Sequence, residues 1–318
     1  MSISYLGPLQ RAVARARSTL FAPFRLETWL ALGFAAFLSE WLSGGWGQAG
    51  GGRGFSGRHV GALHLHDLLP ALVWGPLLAG LIVVGIVVGI VFLWLGSRGK
   101  FVFLDDVVRG RTAIVEPWNR YAHLGQSLFL WRLVFAIFAG LVMLGLLLAT
   151  VGTALVGWLR YHEPLAMAPS MIGGLALVGF AGLLVGFVNL MLDDFVVPLM
   201  YRHELRVNDA WRRFLPLLRG NPGTFILYAL FVLLLVIVIG AIVVVLGFAT
   251  CCVGFLLLMT PYVGQVVLLP VHVAYRGLGP EFLAQFGPEF DALAGAPPQP
   301  AATPPVIPPP STGPGASA

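Results

Sequence analysis

The sequence predicts an all-α transmembrane protein, and three observations lead to that fold class. Of its 318 residues, 58% are hydrophobic and only 10% are charged, whereas soluble domains carry about 25% charged residues. The mean hydropathy is +0.87, and the apolar residues form runs that reach the roughly 20 residues a helix needs to cross a bilayer. The basic residues gather in alternate connections between these runs.

Six apolar runs define the predicted spans: residues 28–43, 68–96, 128–158, 170–200, 224–248 and 250–275. A threefold repeat groups them into hairpins. The segment LDDVV at 104–108 returns as LDDFV at 192–196, and EPWNR at 116–120 is echoed by DAWRR at 209–213, with PLQR at 8–11 in the same position. Each predicted unit is a short amphipathic interfacial helix followed by two spans. When the end of the third unit is aligned with that of the second, Gln265 takes the position of Asp193.

The distribution of basic residues predicts the orientation. Of the 19 lysines and arginines, 15 fall before the first span, after the second, after the fourth or beyond the sixth; the opposite side holds Arg53, Arg58 and Arg160, and Arg132 lies inside a span. This predicts a multi-pass protein of the cell (inner) membrane with both termini cytoplasmic. The first apolar run starts near Trp29, too late for a cleaved signal peptide, so it is expected to be retained.

The predicted organisation has four parts. Residues 1–27 form a cytoplasmic amphipathic segment, 28–276 the membrane domain, 277–295 a second cytoplasmic segment, and 296–318 a disordered Pro/Ala-rich tail. Within 8–20, apolar residues fall near one helical face, while Arg11 and Arg15 fall on another. Such helices are expected to lie among anionic lipid headgroups, although packing on neighbouring helices is the alternative. The predicted headgroup contacts are Arg11, Arg15, Trp118, Arg120, Trp211, Arg212 and Arg213.

The two Asp pairs are the candidate polar site. Asp193 and Asp194 are followed by seven uncharged residues before Arg202, which places them inside the membrane boundary, where ionisable groups suggest function. Pro198 lacks the N–H that would bond the carbonyl of Asp194. The alternative is structural pairing, with Arg132 as a partner. The candidate set is Asp193, Asp194, Arg132, Asp105, Asp106 and Gln265, the pair at 105–106 lying nearer the interface.

Motifs for other chemistries are missing. Cys251 and Cys252 are adjacent, without metal-ligand spacing, and the His-containing loop at 59–67 is a weak metal candidate. No G-x-S-x-G, H-E-x-x-H or phosphate-binding Gly-Lys-Ser/Thr motif occurs. The sequence therefore predicts a protein that is not an enzyme and has no cofactor and no resident metal. The basic charge flanks the spans, so no nucleic-acid partner is expected.

Three regions carry a family resemblance: PF at 23–24 through WLALGF at 29–34, the Asp-pair segments, and YRGL at 275–278 through FLAQFGPEF at 282–290. With them the chain resembles polytopic membrane-protein families of unknown function from bacteria and archaea. It also looks loosely like membrane domains fused to glycerophosphodiester phosphodiesterases. No phosphodiesterase catalytic segment is present, so the resemblance implies the architecture only.

The predicted function is to organise lipid or to bind membrane-protein partners through the interfacial helices, without catalysis. The first alternative is a transporter or channel with a polar site at Asp193, Asp194 and Arg132; the second is an intramembrane enzyme. A transporter requires a water-accessible cavity that leads to the Asp pair, whereas a scaffold would hold these carboxylates against arginine.

Overall fold

The computed structural model describes residues 4–21, 26–41, 68–109, 115–163, 167–250 and 253–293, and the regular elements in these ranges are all helical, as predicted. The helices are α1 (Leu6–Phe21), α2 (Leu26–Ala36), α3 (Leu68–Arg109), α4 (Val115–Arg120), α5 (Ala122–Tyr161), α6 (Ala168–Met191), α7 (Val197–His203), α8 (Val207–Gly220), α9 (Pro222–Ala249), α10 (Val253–Met259), α11 (Pro261–Val267) and α12 (Leu269–Leu283). Turns of π-helix follow α2 (Phe37–Trp41) and α6 (Leu192–Val196), and short 3-10 turns follow α12.

Four helical segments are long and apolar enough to cross a membrane: Ala79–Arg109, Ala122–Tyr161, Ala168–His203 and Pro222–Ala249. They coincide with the second to fifth predicted spans. Their outward surface is apolar, as at Leu81, Ile137 and Ile172, each more than half exposed. Because water would strongly disfavour such a surface, the chain is a multi-pass membrane protein.

The first and sixth predicted spans take a different form. Residues 28–43 contribute only a short apolar helix, Trp29–Ser39. Residues 250–275 are divided among α10, α11 and α12, because Pro261 and Pro270 each begin a new helix. The described residues therefore show four spanning helices, while six spans and the threefold repeat stay predictions. The predictions for the His-containing loop at 59–67, the adjacent cysteines and the Pro/Ala-rich tail lie outside the described residues.

The helices pack most densely at one end, which we call the base: residues 99–108 of α3, 191–200 of α6 and α7, the start of α9, and α12. Side chains at 101–108 are buried, whereas those at 79–92 of the same helix are exposed. An aromatic cluster fills the base, with Phe195 5.3 Å from Phe214 and 4.9 Å from Tyr228 between ring centroids. The spans are thus held together mainly where the basic connections lie.

α1 packs along α12 at the base. Its buried residues include Ala12, Ala16 and Leu20, at the helical spacing expected for one face. A Cβ added at Gly277 would lie 3.4 Å from the Cβ of Ala12, so the two helices approach closely at this point. A second buried cluster joins Leu20 to Val102 of α3. The predicted amphipathic helix is present, and its apolar face packs partly on protein.

Candidate functional site

Asp193 and Asp194 lie in the π-helical turn Leu192–Val196 between α6 and α7. The N–H of Val197 bonds the carbonyl of Leu192, five residues earlier, so the helix is wider here by one residue. Pro198 accounts for the widening, because in a regular helix its ring would clash with the carbonyl of Asp194 and would leave it without a donor.

The carboxylate of Asp193 joins two other helices. Its Oδ2 accepts a hydrogen bond from Lys100 Nζ of α3 at 2.5 Å, and its Oδ1 pairs with the guanidinium of Arg132 of α5. The side chains of Lys100 and Arg132 are only 1% and 6% exposed, and that of Asp193 is 24% exposed. The negative charge is thus held between two cations.

Asp194 faces the aromatic cluster instead. Its Oδ2 accepts a hydrogen bond from the hydroxyl of Tyr228 at 2.8 Å, and the residue is 3% exposed. The main chain of Asp194 lies directly against Gly279, where an added Cβ would come within 2.9 Å of the Asp194 carbonyl carbon. The main-chain carbonyl of Asp194 is therefore covered by α12. This packing explains the close approach of α12 to the π-turn.

The other Asp pair belongs to a separate network in the base. Asp105 Oδ1 accepts hydrogen bonds from the hydroxyls of Tyr201 at 2.8 Å and Tyr121 at 3.2 Å, and it pairs with Arg109 Nε at 2.9 Å. Both Asp105 and Asp106 are fully buried. That this pair lies nearer the membrane interface than Asp193 stays a prediction. Asp105 ties the end of α3 to α7 and to the start of α5.

Gln265 stands apart from both Asp pairs. It is buried on α11, and within the described ranges no hydrogen bond or ion pair joins it to Asp193 or Asp105. In the same ranges there is no group of three or more His, Cys, Asp or Glu residues that could hold a metal ion. The structure therefore brings Arg132 and Asp193 together and leaves Gln265 outside that site.

One family model, described as a family of unknown function (DUF7544), matches residues 5–286. The chain belongs to the DUF7544 family. The match extends from α1 through α12 and includes both Asp pairs, so the base of this DUF7544 protein lies within the family region. No curated protein and no solved structure matches the chain. What is established is a membrane protein of a family of unknown function.

Two of the predicted headgroup residues of this DUF7544 protein contact a buried acid. Glu281 of α12, 7% exposed, accepts hydrogen bonds from Arg11 Nε at 2.7 Å and Arg15 Nη2 at 3.2 Å. The side chain of Arg15 is 14% exposed, while that of Arg11 is 49% exposed. Both arginines join α1 to α12, and only Arg11 keeps a half-exposed side chain.

The other predicted headgroup residues lie on two helices of the DUF7544 protein. Trp118 of α4 and Trp94 of α3 flank the guanidinium of Arg98, at 5.5 and 4.6 Å from the ring centroids. Arg120 pairs with Glu204 at 3.5 Å, and both side chains are about half exposed. The remaining three, Trp211, Arg212 and Arg213, belong to α8.

Sequence reasoning missed several residues of these networks: Lys100, Tyr121, Tyr201, Tyr228 and Glu281. Their partners are distant in sequence, with Lys100 93 positions from Asp193 and Tyr228 34 positions from Asp194. No periodicity connects such positions. One signal was available for Lys100, because the apolar run FVFL at 101–104 follows it and indicates that the helix continues into a core.

Proposed function

We propose that this DUF7544 protein is a non-enzymatic integral membrane protein that binds anionic lipid headgroups at the base of its spans, with membrane-protein partners as further ligands. The observation that carries the proposal is the placement of α8, an amphipathic helix fixed to the core on one side and rich in arginine on the other. The proposal involves no catalytic step, no cofactor and no nucleic acid.

The apolar face of α8 is anchored in the base. Phe214 is fully buried, with its ring centroid 5.3 Å from that of Phe195 and 5.2 Å from that of Phe225. Trp211 stacks on Trp131 of α5 at 5.8 Å. Because α8 ends at Gly220 and α9 begins at Pro222, the helix leads directly into a span. This arrangement supports a position of α8 at the membrane surface.

The opposite face of α8 carries the positive charge. The side chain of Arg212 is 83% exposed, and Arg213 and Arg219 are exposed as well. One acid, Asp209, lies 3.8 Å from Arg212, a distance that gives only a weak pair in water. Each basic residue near an anionic leaflet contributes about 1 kcal/mol of attraction. The fixed arginines of α8 therefore favour anionic over zwitterionic lipid.

We also propose six membrane crossings, with both termini cytoplasmic. Leu38 packs against Gly99, which lies about 30 Å along α3 from Ala79. The chain has to cover at least that distance between Leu38 and Ala79, and α12 has returned to the base after α9 leaves it. These positions support a crossing on each side of the four spanning helices. The 15 basic residues of the predicted cytoplasmic segments support a cytoplasmic location for the base.

The transport alternative has less support. The carboxylate of Asp193 pairs with Lys100 and Arg132, and the carboxylate of Asp194 accepts a hydrogen bond from Tyr228. Carboxylates held in this way favour a structural role, since a transported cation would have to displace a buried cationic side chain from Asp193 or the tyrosine hydroxyl from Asp194. The polar network therefore supports a scaffold that keeps the spans in register.

Lipid selectivity is the test. The full chain is reconstituted in nanodiscs of mixed phosphatidylcholine and phosphatidylglycerol, and the lipids it retains on release are counted by native mass spectrometry. The wild type is expected to retain phosphatidylglycerol preferentially. Replacing Arg212 and Arg213 by Gln should reduce that preference about fivefold for each arginine that faces the leaflet.

The matched control keeps the charge: Arg212→Lys with Arg213→Lys should preserve most of the preference, because a point charge is enough for this attraction. A wild type that retains both lipids in proportion to their supply would contradict the proposal. Equal loss of preference in the Gln and Lys variants would instead indicate a specific arginine-dependent partner.

A further inference from the structure

An apolar groove lies between α1, α9 and α12. Its volume is about 690 Å³, within the usual size of small-molecule sites. Apart from Arg17 and Tyr275, the side chains that line it are apolar. They include Leu9, Val13, Phe21, Val236, Ile239 and Val271.

The groove is continuous with the lipid-facing surface. One wall is α9, a candidate span, and Ile237 and Val238 beside that wall are 59% and 46% exposed. Phe21 and Val13 on the α1 wall are each about half exposed. A groove that opens on the side of a span is filled by the surrounding medium, which in a bilayer consists of acyl chains.

Arg17 supplies the charge at this groove. It is exposed, and among the described residues it has no acidic partner, in contrast to Arg11 and Arg15 on the same helix, which pair with Glu281. Long basic side chains beside apolar surface place their stems on that surface and their charge at the headgroups. Arg17 is therefore available to an anionic group whose apolar part lies in the groove.

From the groove and its single free guanidinium we infer a binding site for one anionic phospholipid, with an acyl chain between α1, α9 and α12 and the headgroup phosphate at Arg17. The inference rests on the proposed function and deepens it, since it names a resident lipid site distinct from the arginines of α8. A lipid in this position would pack α1 against α9.

Two substitutions test the site in the same nanodisc and native mass-spectrometry measurement. Val13→Trp fills the groove and is tolerated by folding because Val13 is 50% exposed; it should abolish retention of the most tightly held phosphatidylglycerol. Arg17→Gln should leave one lipid bound but reduce its preference for phosphatidylglycerol over phosphatidylcholine about fivefold.

Matched controls lie on the lipid-facing surface of α5. Val134→Trp makes the same change at a position 68% exposed, and Arg160→Gln removes the same charge at the far end of the helix. Both should behave as wild type, and size-exclusion profiles check that all variants are folded.

If Val13→Trp still retains the tightly held lipid, the groove site is overturned. A change in oligomeric state without loss of lipid also overturns it, because the groove would then bind a second copy of this chain. If the α8 variants lose selectivity while Val13→Trp does not, the proposed function stands and this site falls. If the wild type lacks any anionic preference, both fall.

Discussion

Replacing Asp193 by Asn removes the carboxylate that joins α3 to α5 at the base. In the wild type this carboxylate receives Lys100 Nζ at 2.5 Å and the guanidinium of Arg132. Asn keeps the size and one acceptor oxygen but loses the negative charge. Two cationic side chains that are almost fully buried then lose their shared counter-charge.

The expected cost follows from burial. Removing one partner of a buried ion pair destabilises proteins by about 3–5 kcal/mol, because the remaining charge is left uncompensated. The side chain of Asp193 is itself 24% exposed, so solvent weakens the interaction and the lower end of that range applies. We expect Asp193→Asn to lower the free energy of unfolding by about 3 kcal/mol.

The assay is the thermal loss of monodisperse protein in detergent, followed by size-exclusion chromatography. Asp209→Asn is the matched control: its partner Arg212 is 83% exposed and 3.8 Å away, so the cost should stay below about 1 kcal/mol. Combining Asp193→Asn with Arg132→Met should recover part of the loss, since one uncompensated charge is removed. Wild-type stability of Asp193→Asn together with lost ion binding or transport would refute the structural interpretation.

Three further predictions concern the contacts around this turn. Tyr228→Phe removes the donor to Asp194 at 2.8 Å and should destabilise the protein by about 1–3 kcal/mol in the same thermal assay, whereas no change would mean that the bond contributes nothing. Gly279→Ala should lower the free energy of unfolding by about 1–3 kcal/mol, because the new Cβ would meet Asp194. The control Gly173→Ala, which has open space around it, should be neutral or stabilising. Equal effects of the two substitutions would contradict the packing of α12 on Asp194. Glu281→Gln should loosen α1, measured as faster limited proteolysis before residue 22 than in Glu289→Gln, and equal rates would argue against the pairing.

The spanning helices were predictable from hydropathy, but their ends at the base were not. The run at 170–200 was predicted within a few residues of the observed segment Ala168–His203. The predicted span at 68–96 ends too early, because Arg98 and Lys100 indicate a connection between two spans. α3 continues to Arg109, since its later residues enter a core where Lys100 has a counter-charge. Hydropathy measures transfer into lipid, and burial within protein follows different rules.

The polar site was predictable only in part, for a related reason. Asp193 and Arg132 drew attention because charges in apolar runs are costly wherever they point. Tyr228 and Tyr201 did not, because tyrosine is common near membrane interfaces and its hydroxyl partner is set by tertiary packing. The pairing of Arg15 with Glu281 spans 266 positions, and nothing in the local pattern of either segment indicates it.

The depth of the polar network is consistent with its role as a structural joint. The helix from Ala79 to Gly99 covers about 30 Å, which is the thickness of the hydrocarbon core, and Lys100 follows at once. On α6 and the turn after it, Asp193 lies about 37 Å from Ala168. From these two helix lengths we expect the charges to lie near one edge of the apolar layer. Buried ion pairs at that depth avoid the midplane, where a transport site is usually built, and they fix the spans beside the headgroups that we propose the protein binds.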